Sequence, residues 1–440
     1  MWYNTVKFVK CYKRKDLTMS KQFELLKKIG FVRMGGTAEE LKAAQILKEE
    51  IESMGLAADI EPFEIEDYVQ EKAELEVLQP YNKKYIVRAY KFSENTPEEG
   101  IEAPFYYAEN MTDVDIANSK GKIILVNGIV RLDLFRKILK SGAVGFISMT
   151  GTMLDTDENS DLLQRSTRDT MRAFGNLPAA SIRIKDAFEM VKEEASLVRL
   201  TIKGENITRT SHNVVTKVAG TDKADEIVSF GAHFDSVEFS TGVYDNGAGS
   251  VIIMDILRHF VANPPRRTLQ FNWYGSEEMG LLGSKAWVKA HKDELKDHVY
   301  MINVDVGGSV LGADQALVLA TKEGTTYIDS FMKRKGYSVV VKQDIYSSDG
   351  VPFADNGVPS TSFIRFGTQG AGYIHDRNDI IDWLYPKALE RTTKFVQDYA
   401  EEMINAEVFP VAKVVPPEMV EKVDNYLFKK ELAEAAKLNK

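Results

Sequence analysis

From residue 214 onward the period of the apolar residues switches again and again, and this alternation confines the chain to one broad architecture. Residues 214–218, 227–230, 268–274 and 299–304 carry the short apolar runs of buried strands. Residues 251–260, closed by Pro264-Pro265, and residues 281–291 carry the three-and-four spacing of helices. Strands are expected again at 317–320, 337–341 and 361–366, with helices near 325–335 and 387–403. The rhythm predicts an α/β fold with a mixed, largely parallel sheet flanked by helices on both faces.

The remainder of the chain divides by texture. Residues 1–18 are basic, lack the apolar core of a signal peptide, and read as an extension or loose arm, since Met19 offers a second start. Residues 19–65 read as the N-terminal part of the main unit. Thr37 and Glu40 form a capping-box pattern ahead of a helix whose apolar residues include Leu41, Ala44, Leu47, Ile51 and Met54. Residues 66–207 contain no histidine and show short alternating strands at 73–77, 122–126, 142–147 and 198–202, so they read as an inserted β-rich domain that either shapes or covers a site without building it or is a plain structural insert. Residues 208–410 form the unit with the strand–helix rhythm, and 411–440 a helical tail of unassigned use.

Composition removes several function classes. The formal net charge of −9 is spread along the chain and offers no basic patch, so nucleic acid is not an expected partner. No stretch approaches a membrane span, and a cytoplasmic protein is expected. The single cysteine, Cys11, rules out an intrachain disulfide and a thiolate-rich metal site. Any metal must use histidine, carboxylate and water. Composition says nothing of the oligomeric state.

Such residues converge on one sheet edge. Ligands of open α/β sheets bind beyond the carboxyl ends of the strands. His233 and Asp235 follow the strand ending near Phe230, Glu277 and Glu278 follow the one ending at Tyr274, Asp305 follows Val304, and His375 lies in the loop after Phe366. Asp245 stands twelve residues beyond His233 in Asp245-Asn-Gly-Ala-Gly-Ser250. Two divalent ions about 3.5–4 Å apart need ligands on each side and a bridge between them. Asp245 suits the bridge, His233 with Asp305 one ion, and Glu278 with His375 the other. Asp235 is left to orient the His233 ring, and Glu277 to move protons. Imidazole and carboxylate donors suit two zinc ions, with cobalt or manganese as alternatives. The reaction class is metal-assisted hydrolysis. With its acids nearly balancing two dications, the site would accept an ammonium group, which favours a peptide with a free N-terminus.

The segments Gly231-Ala-His-Phe-Asp-Ser236, Asp245-Asn-Gly-Ala-Gly249, Gly275-Ser-Glu-Glu-Met-Gly280, Asn303-Val-Asp-Val-Gly307 and His375 with Asp379 resemble the motif series of the dizinc aminopeptidases of metallopeptidase family twenty-eight. The resemblance implies the same ligand sets, with Glu277 as general base. The insert is similar to a protease-associated domain through Gly121-Lys-Ile-Ile-Leu-Val126, Gly142-Ala-Val-Gly-Phe-Ile147 and Leu177-Pro-Ala-Ala-Ser-Ile182. Two departures stand out. Ile374 occupies the place of a tyrosine that in many relatives contacts the oxyanion, leaving Tyr373 one residue earlier as the nearest substitute. Asp349-Gly350 precedes Pro352-Phe353 where many relatives have Asp-His. Other readings are a carboxypeptidase or dipeptidase on the same fold, a single-zinc acyltransferase that cyclises N-terminal glutamine, or a non-catalytic binding protein. Retention of both ligand sets and of Glu277 argues against the last two.

Overall fold

The computed structural model describes residues 20–156 and 158–438; the basic arm at 1–18, with Cys11, lies outside the described residues. The strand Lys223–His233 lies between Arg267–Tyr274 and His298–Asp305 and runs parallel to both, with Gly231 opposite Asn272 on one side and Asn303 on the other. Ser360–Gly367 continues the parallel set beside His298–Asp305. Beyond it Gly312–Leu319 runs antiparallel and is followed by Val339–Lys342. On the opposite flank Leu197–Val218 pairs antiparallel with Arg267–Tyr274. Four neighbouring strands therefore end on the same edge, at His233, Tyr274, Asp305 and Gly367.

Alternation along the strands assigns the two faces. Tyr300, Ile302 and Val304 join the large apolar core, which also holds residues of the helices Ala248–Ala262 and Pro386–Ile404. Met301, one position out of phase, joins a second cluster with Trp287 and Phe353 from the helices Leu282–Ala290 and Gly350–Asp355. Both faces of the sheet are covered, which is why the central strands read as continuous apolar runs. Phe230 and Phe271 stack across neighbouring strands at 4.6 Å, and the buried Trp273 donates its indole N–H to the Ser250 carbonyl at 2.9 Å.

One pair of strands serves two units. Asp59–Gln79 and Leu197–Val218 form an antiparallel ribbon in register from Asp59 opposite Val215 to Gln79 opposite Leu197. At about 3.4 Å per residue such a ribbon spans roughly 65 Å. Its near end joins the main sheet, and its far end pairs with Ile101–Ala108. The ribbon is longer than the separate strands expected at 73–77, 198–202 and 214–218, because Lys203-Gly-Glu-Asn-Ile-Thr-Arg-Thr210 has little apolar character to alternate. Glu66 and Thr208 face one another across it.

The inserted segment carries helices between its strands. Ile101–Ala108, Ile123–Val126, Gly145–Thr150 and Ala179–Arg183 are parallel neighbours, connected through Asp113–Asn118, Leu132–Ser141 and other short elements. Gly142 stops the second of these helices in a left-handed conformation (φ 69°), the usual role of a glycine there. Separate apolar clusters fill the insert, one including Leu125 and Ile147, the other Phe135 and Phe146. The tail forms two helices, Pro417–Tyr426 and Lys429–Leu438. Tyr426 meets the Ser347 hydroxyl at 2.5 Å, Phe428 packs on the insert, and Glu434 pairs with Arg136 of the insert at 2.9 Å.

The N-terminal cap differs from its expected form. Thr37 accepts the Glu40 amide at 3.2 Å, but Glu40 does not return to the Thr37 amide. Its buried carboxylate accepts from the Gly36 amide at 3.0 Å and from the Ser211 hydroxyl, tying the helix Ala38–Glu52 to the ribbon. Among the described residues no helix is long and apolar enough to cross a membrane.

Because Phe271 is wholly buried against Phe230, Phe271→Ala should cost about 3–5 kcal/mol in denaturant unfolding. Phe188→Ala, at an exposed position, should shift stability by less than about 0.5 kcal/mol. Equal costs would contradict the core described above.

Candidate metal centre

Every expected site residue sits at a strand end or in the loop that follows. His233 and Asp305 end their strands, Glu277 and Glu278 lie in the turn after Tyr274, and Asp245 lies in the middle of Val243–Gly247, the segment that leads into Ala248–Ala262. The structure brings them together. His233 Nε2 is 3.2 Å from Asp245 Oδ1 and 3.6 Å from Asp305 Oδ1. His375 Nε2 is 3.2 Å from Asp245 Oδ2 and 3.0 Å from Glu278 Oε2. His233, Asp245 and Asp305 form one group with donor atoms within 4.8 Å, and Asp245, Glu278 and His375 form another. Asp245 belongs to both, with one oxygen turned to each imidazole.

Backbone geometry around these residues is constrained. Ser276, Val306 and His375 each adopt the left-handed region (φ 54°, 48° and 58°). Such conformations cost on the order of 1–3 kcal/mol for a residue with a side chain and cluster where surrounding structure fixes a functional group.

Asp235 and Asp379 act as splints. Asp235, fully buried, accepts the Glu277 amide at 3.0 Å and the Glu278 amide at 3.3 Å, and its Oδ1 lies 3.3 Å from His233 Nδ1. A single carboxylate thus fixes the backbone of two glutamates and sits beside one imidazole. Asp379 accepts the amides of Tyr244 and Asp245 at 2.8 and 3.1 Å, fixing the shared carboxylate from behind. Asn246 completes the frame by donating to the Val304 carbonyl at 2.9 Å and accepting from Gly249 and Val306.

Charge is concentrated and only partly compensated. Burial pushes Glu278 up to about 7, with the Asp245 charge adding to it, and burial with neighbouring acids holds Glu277 well above the ordinary glutamate range. Asp305 is raised for the same reason. Asp245 moves the other way: burial opposes its charge, but hydrogen bonds from His233 and His375 hold it below the usual range. Burial disfavours charge on both imidazoles, yet the acids raise His233 well above its ordinary value and His375 to about 11. Arg33, fully buried, donates to the carbonyls of Phe234, Thr241 and Gly242 beside these acids. Glu278 Oε1 and Asp349 Oδ1 are buried without a hydrogen-bond partner. Crowded carboxylates, two imidazoles and a partnerless buried oxygen are what divalent cations would satisfy, so the donor set fits a metal.

Sequence reasoning missed Arg33, Asp349 and the reach of Asp379. Arg33 had one signal, a basic residue inside Phe31-Val-Arg-Met-Gly-Gly36. Asp349 carries no local mark beyond the glycine that follows it; in the fold burial pushes it up to about 7, near His233 and Asp305. Tyr373 directs its hydroxyl to the Gly370 carbonyl at 3.3 Å. Outside both groups, His298 meets Ser229 at 2.7 Å, His291 stacks on Trp287, His212 lies 3.4 Å from Glu40, and His259 contacts Gln397.

A sheet edge that gathers two linked histidine–carboxylate groups defines a metal-centred site on an α/β scaffold. Residues 213–400 match the family described as Peptidase family M28. The chain is 26% identical over 391 residues to Aminopeptidase YwaD of Bacillus subtilis (strain 168), an alignment spanning 86% of this chain and 82% of that protein. It is 22% identical over 382 residues to Carboxypeptidase Q of Bos taurus, spanning 81% and 79%. Among solved structures, BSAP, a zinc aminopeptidase from Bacillus subtilis, superposes with a TM-score of 0.72 at 22% identity, covering 90% of this chain and 98% of that one. An aminopeptidase from Aneurinibacillus sp. strain AM-1 gives 0.69 at 23%, covering 90% and 95%. At these identities the two superpositions establish the shared fold.

Metal uptake by the His375 group should release protons. Glu278 near 7 and His375 near 11 must each deprotonate to act as ligands, so apparent affinity should rise as pH rises from about 6 to about 8. Calorimetric titration in buffers of different ionisation enthalpy would measure this. Affinity independent of pH would contradict the assignment.

Proposed function

We propose that this chain is a metal-dependent aminopeptidase that removes N-terminal residues from peptides, with two zinc ions held by His233, Asp245 and Asp305 and by Asp245, Glu278 and His375. The observation that carries the reading is Asp245, whose two oxygens lie 3.2 Å from different imidazoles. The match of residues 213–400 to a peptidase family and the likeness to a relative named as an aminopeptidase support it. When bound, such a pair of cations would acidify a water molecule and polarise a carbonyl.

The chain's own groups do the rest. Glu277 lies beside the shared cluster, 4.0 Å from His233 Nε2. Its raised proton affinity suits a general base that takes the proton of the attacking water as the carbon–oxygen bond forms. The same group then returns that proton to the departing nitrogen as the peptide C–N bond breaks. Asp235 acts through Glu277 and His233, holding both in place. The uncompensated acids, with Asp349 among them, give a substrate ammonium a favourable surrounding. Tyr373 is the residue of the His375 loop best placed in sequence to contact a substrate oxygen, once its hydroxyl leaves Gly370.

The likeness to Carboxypeptidase Q supplies the alternative, an exopeptidase that reads the other chain end. Aminoacyl chromogenic amides with free and with N-acetylated amines separate the two when set beside N-blocked peptides with a free carboxylate. The proposal expects turnover of the free-amine substrates alone. Glu277→Gln should lower kcat by about 10²–10⁴-fold while metal content stays at the wild-type level. Hydrolysis of blocked peptides, or full activity in Glu277→Gln, would contradict it.

A further inference from the structure

His375 is the most weakly housed member of the two groups. Its side chain is 50% exposed, against 9% for Asp245 and 10% for Glu278. It comes from a loop after Gly367 and takes a left-handed backbone conformation. That loop is held from the main unit by Asp379, four residues further on.

A second restraint comes from outside the main unit. The carboxylate of Asp161, in the inserted segment, accepts the backbone amide of Arg377 at 3.0 Å and the Arg377 guanidinium as well. The same guanidinium reaches the Glu158 carbonyl at 3.1 Å and Asn159 Oδ1 at 3.0 Å. Arg377 lies two residues beyond His375. On the other side of this contact the segment is stitched into the insert. Thr150 donates to the Asp161 carbonyl at 3.2 Å, Ser181 to the Leu163 carbonyl at 2.5 Å, and Lys91 forms a parallel bridge with Ser166, donating to the Arg165 carbonyl at 2.8 Å and accepting from the Thr167 amide at 3.0 Å. A charge-assisted fork on a fixed anchor restricts both position and rotation of the loop that it grips. A parallel contact, Arg88 of the insert with Glu238 at 3.1 Å, tethers the loop that follows His233.

We propose that Asp161 is a positioning residue for the metal centre: through Arg377 the inserted unit fixes the His375 loop so that the imidazole meets Asp245 and Glu278. The insert then completes the second ligand group from 214 residues away, while contributing no ligand of its own. This inference rests on the proposed ligand role of His375. It separates the two groups, because His233, Asp245 and Asp305 are held by strand ends and by Asp235 and Asp379, with no part for Asp161.

The full-length chain, freed of metal, can be titrated with cobalt(II) and followed by visible absorption. In Asp161→Asn, which keeps size and removes charge, affinity for the second equivalent should fall about 10–100-fold while the first is unchanged. Asp161→Glu should restore part of the loss. Arg377→Lys, which keeps the charge and loses the fork, should weaken the second equivalent too, and it decides the matter if Asp161→Asn fails to fold by circular dichroism. Wild-type affinity for both equivalents in these variants, or equal weakening of both, would overturn the positioning role and leave the aminopeptidase reading standing. Failure of the wild-type chain to take a second equivalent would overturn both.

Discussion

The arrangement depends on an electrostatic problem that the chain does not solve alone. Asp235, Asp245, Asp305, Asp349 and Asp379 are buried with Glu277 and Glu278 close by, and the facing cationic groups are His233, His375 and Arg33. Burying unneutralised carboxylates is costly, and the strained backbone at Ser276, Val306 and His375 adds to that cost. Such a site persists because the sheet beneath it is heavily overdetermined. Parallel strands buried on both faces deliver His233, Asp305 and the Glu277-Glu278 turn to fixed points, and Asp235 and Asp379 bind the backbone amides between them.

This explains which parts of the molecule were legible in the sequence. The strands of the main sheet were readable because burial on both faces writes short apolar runs, and the helices because their caps and prolines punctuate them. The ligand-type residues were readable for a related reason. Each sits at the end of such a run, so His233, Glu278 and Asp305 are marked by the strand that carries them. Long-range partners left no such mark. Arg33 contacts carbonyls about two hundred residues away, Glu40 leaves its own cap for Ser211, and Asp161 meets Arg377 across the boundary between two units. Pairings of that kind follow from tertiary geometry, and local pattern has no access to them. The solvent-facing ribbon at 203–210 was hidden for a simpler reason, its lack of apolar contrast.

The insert is more closely joined to the main unit than a tethered module would be. Two strands run through both units, Arg88 reaches the loop that follows His233 and Asp161 the loop that carries His375, and the C-terminal helices contact the insert at Arg136 and the main unit at Ser347. The tail, unassigned from sequence, thereby gains a structural place as a strap between the two bodies.

The central claim is that one carboxylate, Asp245, joins two metal positions. Electron paramagnetic resonance of the chain loaded with two equivalents of cobalt(II) tests it most directly, since ions about 3.5–4 Å apart on a common carboxylate couple magnetically. The account predicts a coupled pair in the wild-type chain and loss of both ions in Asp245→Ala. Two uncoupled cobalt signals, or an Asp245→Ala chain that keeps one ion at full affinity, would contradict it.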